Sequence, residues 1–460
     1  MTVPPGDAND PGLLTAGETS LLIDQYELAM AASYLERDMN EPAAFELFSR
    51  VLPPHRRWLL AAGLGPTLRL IQELRFADAE LAYLESLGFG RRFLEYLATF
   101  LFSGDIEATP EGTVVFANEP LVRVTAPRIE GQLLETLLLN QVNFQTMAAT
   151  KAARVVLAAG GGEPGSGETV VDFSPRRDHG IDAAMKVARS AAVAGCGGTS
   201  NVAAAMRYGL RPVGTMAHSY VMSFRSEREA FRAFLEDHHT DPTLLVDTHD
   251  TLEGTRNAIA AARETGVELA GVRLDSGDLA ALSVAVRGLL DEAGMESVRI
   301  AASGDLEEGR IAELVESDAP IDLWGVGTDL GTSRDSPVVN GVYKLVADRT
   351  PDGDWRGVFK SSEDKATLPG AKQVFRSFSE GGEMTGDVIA RADEPLDGEP
   401  LLVPAMRHGR IALEESLDDI RARSAAQLAA LPERLRDPLP KREPTPYPVA
   451  YSDRLAATQA

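Results

Sequence analysis

Between about residues 169 and 340, short runs rich in Val, Ile and Leu alternate with longer Ala-rich stretches of helical period. The runs read VVDF, PVGTM, TLLVD, AGVRLD, VRIAA and IDLWGVG. Each is too short for a helix and is built from residues that suit a strand. The stretches between them include SEREAFRAFLEDH, with the capping pattern Ser226 to Glu229, and GTRNAIAAARETG, closed by Gly266. An Ala-rich run predicts another helix from about Ile181 to Ala194, and a shorter one spans Val202 to Tyr208. Between these two, Gly197 to Asn201 reads as a glycine turn ending in helix-capping residues. Strand and helix in alternation predict parallel strands joined by right-handed crossovers, and so a barrel or a doubly wound sheet.

The flanking regions have a different texture. Residues 1–19 are rich in Pro, Gly and Asp and predict a flexible tail. Ser20 opens an amphipathic run through Leu21, Met30 and Tyr34. Ala43 to Phe48 and Arg57 to Ala62 predict strands, and Gly63-Leu64-Gly65-Pro66 breaks into the helix TLRLIQELRF. Two more helical pieces cover about Asp78 to Phe102. A turn at Glu111-Gly112 precedes Thr113 to Phe116, which is expected to pair with Leu121 to Val124. A single long helical stretch then follows Pro127. After residue 341 the runs GVYKLVAD, WRGVFK and KQVFRSF are β-like, and a last helix, Leu417 to Leu431, precedes a proline-rich tail. The expected division is a tail at 1–19, an N-terminal α+β domain at 20–150, an irregular TIM-like α/β barrel at 151–340 and a C-terminal β-containing extension at 341–460.

Composition narrows the function classes. The 460-residue chain is long enough for two or three domains, and its net charge of -24 disfavours nucleic acid as a partner. A small anionic substrate remains compatible with a local basic pocket. One cysteine, Cys196, excludes an internal disulfide and fits a reducing cytoplasm. The first 20 residues lack a basic region followed by an apolar one, so no signal peptide is expected, and no apolar run suggests a membrane span.

The polar residues point to chemistry. Nearly every expected strand is followed by reactive groups: Asp172 and Arg176; Thr215 and His218; Asp247, His249 and Asp250; Arg273, Asp275 and Asp278; Ser303-Gly304-Asp305; Gly325, Gly327 and Thr328. In a parallel barrel these ends share one rim, where active sites are built. Two arginines, Arg176 and Arg177, and the turn Gly197 to Asn201 suit an anion, and His218 can carry a proton or a covalent group. The plainer alternatives are a hydrogen-bonded surface histidine, a solvated turn arginine at Arg176 and a core phenylalanine at Phe173. For His249, Asp250 and Asp278 the plain reading is a solvated loop position.

Tyr26 in IDQYELAM, then DFSPRR, GGTSN, GTMAHSYVMSF, LLVDTHDTL, GVRLDSGDL, SGDL, WGVGTDLGTS and PGAKQVFR together resemble, in order, the nicotinate phosphoribosyltransferase family. The resemblance runs from about residue 12 to the final tail. It implies ATP-coupled condensation of nicotinate with phosphoribosyl pyrophosphate, giving nicotinate mononucleotide and pyrophosphate, the first step of NAD salvage from nicotinate. It implies a ligase-type enzyme with a phosphohistidine, assistance by Mg2+, and a cytoplasmic homodimer with shared active sites.

By the same resemblance His218 is the phosphate acceptor and Asp247 its orienting carboxylate. Tyr26, reaching from the partner subunit, and Phe173 sandwich the pyridine ring. Arg273 grips the nicotinate carboxylate, with Thr215 as a further contact, and Arg176 faces the ring or the phosphate. Asp275 and Asp305 meet ribose hydroxyls or magnesium, beside Ser303 and Gly304. Gly325, Gly327 and Thr328 receive the 5′-phosphate. Ser200 stands where nicotinamide-using relatives place an aspartate, and a carboxylate there would repel nicotinate. One departure is Ser174-Pro175 in place of the more usual Gly-Leu; Pro175 restricts Ser174 to extended geometry. Alternatives are the same fold acting on nicotinamide or quinolinate, a zinc hydrolase using His218, Asp247, His249 and Asp275, and a non-catalytic nucleotide binder.

Overall fold

The structure, a computed structural model, describes residues 18–160, 166–238, 240–350, 352–359, 368–437 and 444–459. Most of the expected 1–19 tail and part of the proline-rich tail lie outside the described residues. Two compact units form. One comprises Met1–Met147, Val338–Pro432 and Thr445–Ala460; the other comprises Ala148–Pro337 and Glu433–Pro444.

The first unit begins with α1 (Gln25–Glu36), β1 (Pro42–Ser49), β2 (Leu59–Leu60), α2 (Leu64–Glu73), α3 (Asp78–Ser86), α4 (Arg91–Ala98), β3 (Asp105–Ala108), β4 (Val114–Val115) and β5 (Pro120–Pro127). The expected hairpin between residues 113–116 and 121–124 does not form. Instead β4 pairs antiparallel with β2, and β5 pairs with β1 and β3. Asn118, left-handed at φ 68, donates its N–H to the Ser49 carbonyl at 2.7 Å, diverting the chain between β4 and β5. The long helix after Pro127 is also two: α5 (Arg128–Gln132) and α6 (Glu135–Ala158). The Tyr343 hydroxyl donates to the Gly131 carbonyl at 2.8 Å, claiming the acceptor that an unbroken helix would offer to residue 135.

The second unit carries the strand–helix alternation. Its elements are β6 (Val170–Asp172), α7 (Ile181–Val193), β7 (Gly198–Thr199), α8 (Val202–Tyr208), α9 (His218–Met222), α10 (Glu227–Asp237), β8 (Thr243–Leu245), α11 (Thr251–Thr265), β9 (Gly271–Leu274), α12 (Leu279–Glu292), β10 (Arg299–Ala302), α13 (Glu308–Glu316), β11 (Leu323–Val326) and α14 (Thr328–Thr332). The six strands run parallel in the order β7-β6-β11-β10-β9-β8, an α/β half-barrel. No β7–β8 pairing closes it among the described residues.

The strand expected over Pro212 to Met216 is reduced to one bridge, from Pro212 to Thr199. Gly198-Thr199, expected to be turn, carries the strand instead. Pro212 has no N–H to extend a ladder. Gly198 lets the segment lie close, since a Cβ there would sit 2.7 Å from both the Arg211 carbonyl and Val213 Cγ2. Helix starts follow the local chemistry: Asn201, Ser226, Asp250 and Asp278 each accept a backbone N–H as N-cap.

The remaining strands are β12 (Gly341–Arg349), β13 (Trp355–Gly357), β14 (Lys372–Phe378), β15 (Met384–Arg391), β16 (Glu399–Pro400), β17 (Val403–Arg407), β18 (Arg410–Ile411) and β19 (Val449–Tyr451); α15 spans Leu417–Ala430. The β-containing C-terminal part expected after residue 341 is present and shares its strands with the N-terminal ones. Its strands complete a seven-stranded sheet ordered β13-β12-β1-β5-β3-β17-β18 and add a four-stranded one ordered β16-β14-β15-β19. The interior strand β1 is therefore buried along nearly its whole length. No described helix is long and apolar enough to cross a membrane.

In the four-stranded sheet, Arg376 is fully buried and donates Nε and Nη2 to both oxygens of Asp387. Its Nη1 donates to Gln427 Oε1 at 2.9 Å, and the Tyr447 hydroxyl donates to Asp387 at 2.9 Å. Burial and the neighbouring Asp387 push the Glu119 carboxyl well up. Arg376→Met would leave Asp387 buried without its cation, an expected loss of about 3–5 kcal/mol in equilibrium urea unfolding. A loss below about 1 kcal/mol would show that the guanidinium is dispensable.

Candidate active site

The centre of the half-barrel rim is the Arg273 guanidinium, delivered by β9. Nε donates to Ser303 Oγ at 2.7 Å, Nη1 to Thr215 Oγ1 at 3.2 Å and Nη2 to Asp275 Oδ1 at 2.6 Å. Three chain segments, after β9, β10 and before α9, are thus fixed on one cation. Its carbon lies 5.4 Å from the centre of the Phe173 ring. That ring packs on backbone, because a Cβ on Gly325 would sit 2.6 Å from its edge atoms. Phe173 and Gly325 therefore support Arg273 from one side.

Asp275 is held ionised. Burial pushes its carboxyl up, but the Ser303 hydrogen bond, the Arg273 charge and hydrogen bond, and the nearby His218 outweigh that and hold it below the usual carboxylate range. Its second oxygen lies 3.7 Å from His218 Nε2. On the other side of the ring, Nδ1 is 3.1 Å from Thr248 Oγ1. His218 is the first residue of α9.

The carboxylate nearest this ring among the described residues is that of Asp275; Asp247, expected to orient His218, makes its hydrogen bonds elsewhere. Its Oδ2 accepts from the Asp275 N–H at 2.9 Å and from Ser276 Oγ at 2.7 Å, so it braces the loop after β9. Its Oδ1 is buried with no hydrogen-bond partner among the described residues. Thr248 and Ser276 were missed by sequence reasoning. Both are direct neighbours of singled-out aspartates, and a hydroxyl next to a strand-end carboxylate was the available signal.

The loop after β6 is organised by buried acids. Asp172 accepts from the Ser174 N–H at 2.9 Å, Ser174 Oγ at 2.6 Å and Thr199 Oγ1 at 2.8 Å. Ser174 Oγ also lies 3.1 Å from Asp178 Oδ2. The single hydroxyl of Ser174 thus stands between two carboxylates. Burial, then repulsion from Asp172, pushes Asp178 up to about 6. Ser174 thus works where the more usual residue would be glycine. Arg176 and Arg177 sit on the exposed turn it anchors. Asp172 itself is a structural brace.

Ser200 is half-buried and donates its N–H to the Asp172 carbonyl at 2.8 Å. It is not a helix cap; that role belongs to Asn201, whose side chain accepts from the Ala204 N–H. Asp250 and Asp278 are caps, and His249 is exposed. Gly304 has φ +86 and a Cβ there would lie 1.9 Å from the Asp275 carbonyl, so the Ser303-Gly304-Asp305 turn closes tightly on the loop carrying Asp275. Asp305 is exposed and left-handed at φ 46. Gly327 precedes α14, with Thr328 as its first residue. Tyr26 lies on α1 of the first unit, 48% exposed. There it lines a cavity of about 270 Å3 with Met30, Tyr34, Phe45, Arg128 and Tyr343.

Among the described residues no three His, Cys, Asp or Glu side chains gather as a metal cage. A zinc hydrolase centre needs three or four such ligands, so His218, Asp247, His249 and Asp275 do not form one. Magnesium makes a lighter demand, one or two carboxylates with the rest from substrate phosphates and water, which Asp275 and Asp305 can meet.

Three family models match the chain in order. The nicotinate phosphoribosyltransferase N-terminal domain covers residues 21–143, the family's core model 169–334 and its C-terminal domain 395–459. Nicotinate phosphoribosyltransferase pncB2 of Mycobacterium tuberculosis is 47% identical over 448 residues, 96% of this chain and 93% of the relative. The Bacillus subtilis nicotinate phosphoribosyltransferase is 43% identical over 83% of this chain and 78% of its own. The crystal structure of human nicotinic acid phosphoribosyltransferase superposes with a TM-score of 0.80 at 27% identity, covering 94% of this chain and 98% of that one. Nicotinate-nucleotide pyrophosphorylase from Pyrococcus furiosus, at 24% identity and a TM-score of 0.72 over 90% of this chain and 97% of that one, shares the fold. Matched along nearly its whole length, and with the rim chemistry gathered around Arg273, the chain belongs to the nicotinate phosphoribosyltransferase family.

Proposed function

We propose that this chain joins nicotinate to phosphoribosyl pyrophosphate and couples the reaction to ATP through a phosphorylated His218. The observation that carries this reading is the Arg273 frame, with an ionised Asp275 between the guanidinium and the imidazole. The guanidinium has five N–H donors; the bonds above use one on each nitrogen, leaving one on Nη1 and one on Nη2. These two suit the paired oxygens of the nicotinate carboxylate.

In the transfer step the pyridine nitrogen bonds to the ribose carbon while the bond to pyrophosphate breaks and its electrons leave with the pyrophosphate. Positive charge builds on the ribose, and the fixed Asp275 carboxylate offers it a counter-charge. Asp305, exposed on its turn, is an acceptor for ribose hydroxyls. The Gly327-Thr328 turn is the candidate seat for the 5′-phosphate, its backbone open to close approach. Magnesium, when bound, would neutralise the departing pyrophosphate.

For the coupling step His218 must be neutral, with one nitrogen held and a lone pair on the other. Asp275 faces Nε2 and suits a ring proton there, which leaves the lone pair on Nδ1, beside Thr248 Oγ1, as the nucleophile. The terminal phosphate of ATP moves to the ring, ADP leaves, and later hydrolysis of the phosphohistidine releases phosphate. Ser200, carrying no charge, admits an anionic ring. We further read the enzyme as a cytoplasmic homodimer in which Tyr26 and Phe173 face the pyridine across subunits.

His218→Ala is expected to abolish ATP stimulation of product formation while leaving an ATP-independent rate. Undiminished ATP stimulation in that variant removes the phosphohistidine from the reading. Arg273→Lys loses the planar fork, and kcat/KM for nicotinate should fall roughly 100-fold, about 2.7 kcal/mol. A steady-state assay showing a change below about threefold would remove Arg273 as the carboxylate clamp.

A further inference from the structure

The Gly304-Asp305 and Gly327-Thr328 turns come from different strands, yet each is followed by a carboxylate that faces the same buried ammonium. Lys151, on the later part of α6, is 1% exposed. Its Nζ donates to Glu308 Oε2 and, at 3.0 Å, to Asp335 Oδ1. Asp329 Oδ1 stands 4.0 Å away. Glu308 opens α13, three residues after Asp305; Asp329 follows Thr328 directly; Asp335 lies beyond the end of α14. Arg154, one helical turn along α6, donates Nε to Glu308 Oε1 at 2.8 Å, and Arg334 Nη2 is 2.9 Å from Asp329 Oδ2. Three cations thus face three carboxylates.

The electrostatics separate the carboxylates. Burial pushes Glu308 up, but the Lys151 and Arg154 charges outweigh it and hold it low. Asp329 stays raised by its burial, which Lys151 and Arg334 offset only in part, with Glu307 and Glu308 adding to the rise. Without the ammonium, Glu308 and Asp335 would each lose an ion pair and Asp329 a nearby cation. The carboxylates would then repel, and the two turns would part.

We infer that Lys151 is a positioning residue for phosphoribosyl pyrophosphate: its ammonium sets the spacing between the Asp305 turn and the Thr328 turn, and with it the fit to that substrate and not to nicotinate. The inference rests on the reading of these turns as the phosphoribosyl seat. The nicotinate side is built separately, on Arg273, Thr215 and Phe173, none of which contacts Lys151 in the bonds above.

The test measures KM for each substrate on the full-length chain, with wild type, Lys151→Met, Lys151→Arg and Asp335→Asn. Lys151→Met should raise KM for phosphoribosyl pyrophosphate at least tenfold and leave KM for nicotinate within twofold. Lys151→Arg keeps the charge and should recover most of the loss. Asp335→Asn, which trims one half-exposed partner, should raise the same KM about threefold and decides the matter if the methionine variant does not fold. Unchanged KM values, or equal rises for both substrates, overturn the positioning role; a purely structural lysine would lower the active fraction and thermal midpoint with both KM values constant. Failure of the wild type to form nicotinate mononucleotide would instead overturn the functional reading beneath it.

Discussion

One guanidinium organises the rim. Arg273 has no freedom to wander: Ser303, Thr215 and Asp275 each take one of its nitrogens, and Phe173 lies beneath it. The cost of bringing such a cation out of water is met by the ionised Asp275 and by two hydroxyls. The arrangement works in both directions. Arg273 keeps Asp275 charged, and Asp275 stands between the arginine and His218. Remove the cation and three loops lose their common reference point.

Glycine and serine matter here as much as the charges do. Gly325 admits the Phe173 ring, and Gly304 brings the Ser303 turn onto the Asp275 carbonyl. Ser174 Oγ stands between Asp172 and Asp178 and ties the loop to both. The aspartates divide into distinct roles by environment alone. Asp172 is satisfied by three donors and braces the loop after β6; Asp275 is charged and central; Asp247 ties down the loop after β9.

Much of this was legible in the sequence because it is local. The period of the Val and Ile runs gave the parallel strands of the second unit, and RLDSGDL brought Arg273 and Asp275 together on one strand end. Non-local choices were not legible. Nothing around Val114 says that its partner is Leu60 and not the next strand, and nothing near Gly131 says that Tyr343 will take its carbonyl. Pro212 did announce a weak strand, but the strand character of Gly198-Thr199 comes only from the neighbours it pairs with. His218 was singled out by its motif, whereas Thr248 beside it becomes visible only once the ring's position is known.

The seven-stranded sheet has a consequence for how the molecule is made. Its interior strand β1 needs β12 on one side and β5 on the other, and β3 further along needs β17. Ser49 pairs with Gly341, so at a ribosomal pace of roughly 5–20 residues per second β1 waits on the order of tens of seconds for that neighbour. The half-barrel, whose strands all lie between Val170 and Val326, can close in the meantime. During synthesis a nascent apolar strand edge is therefore open to other chains, and chaperone cover at that stage would matter more to yield than the stability of the finished protein.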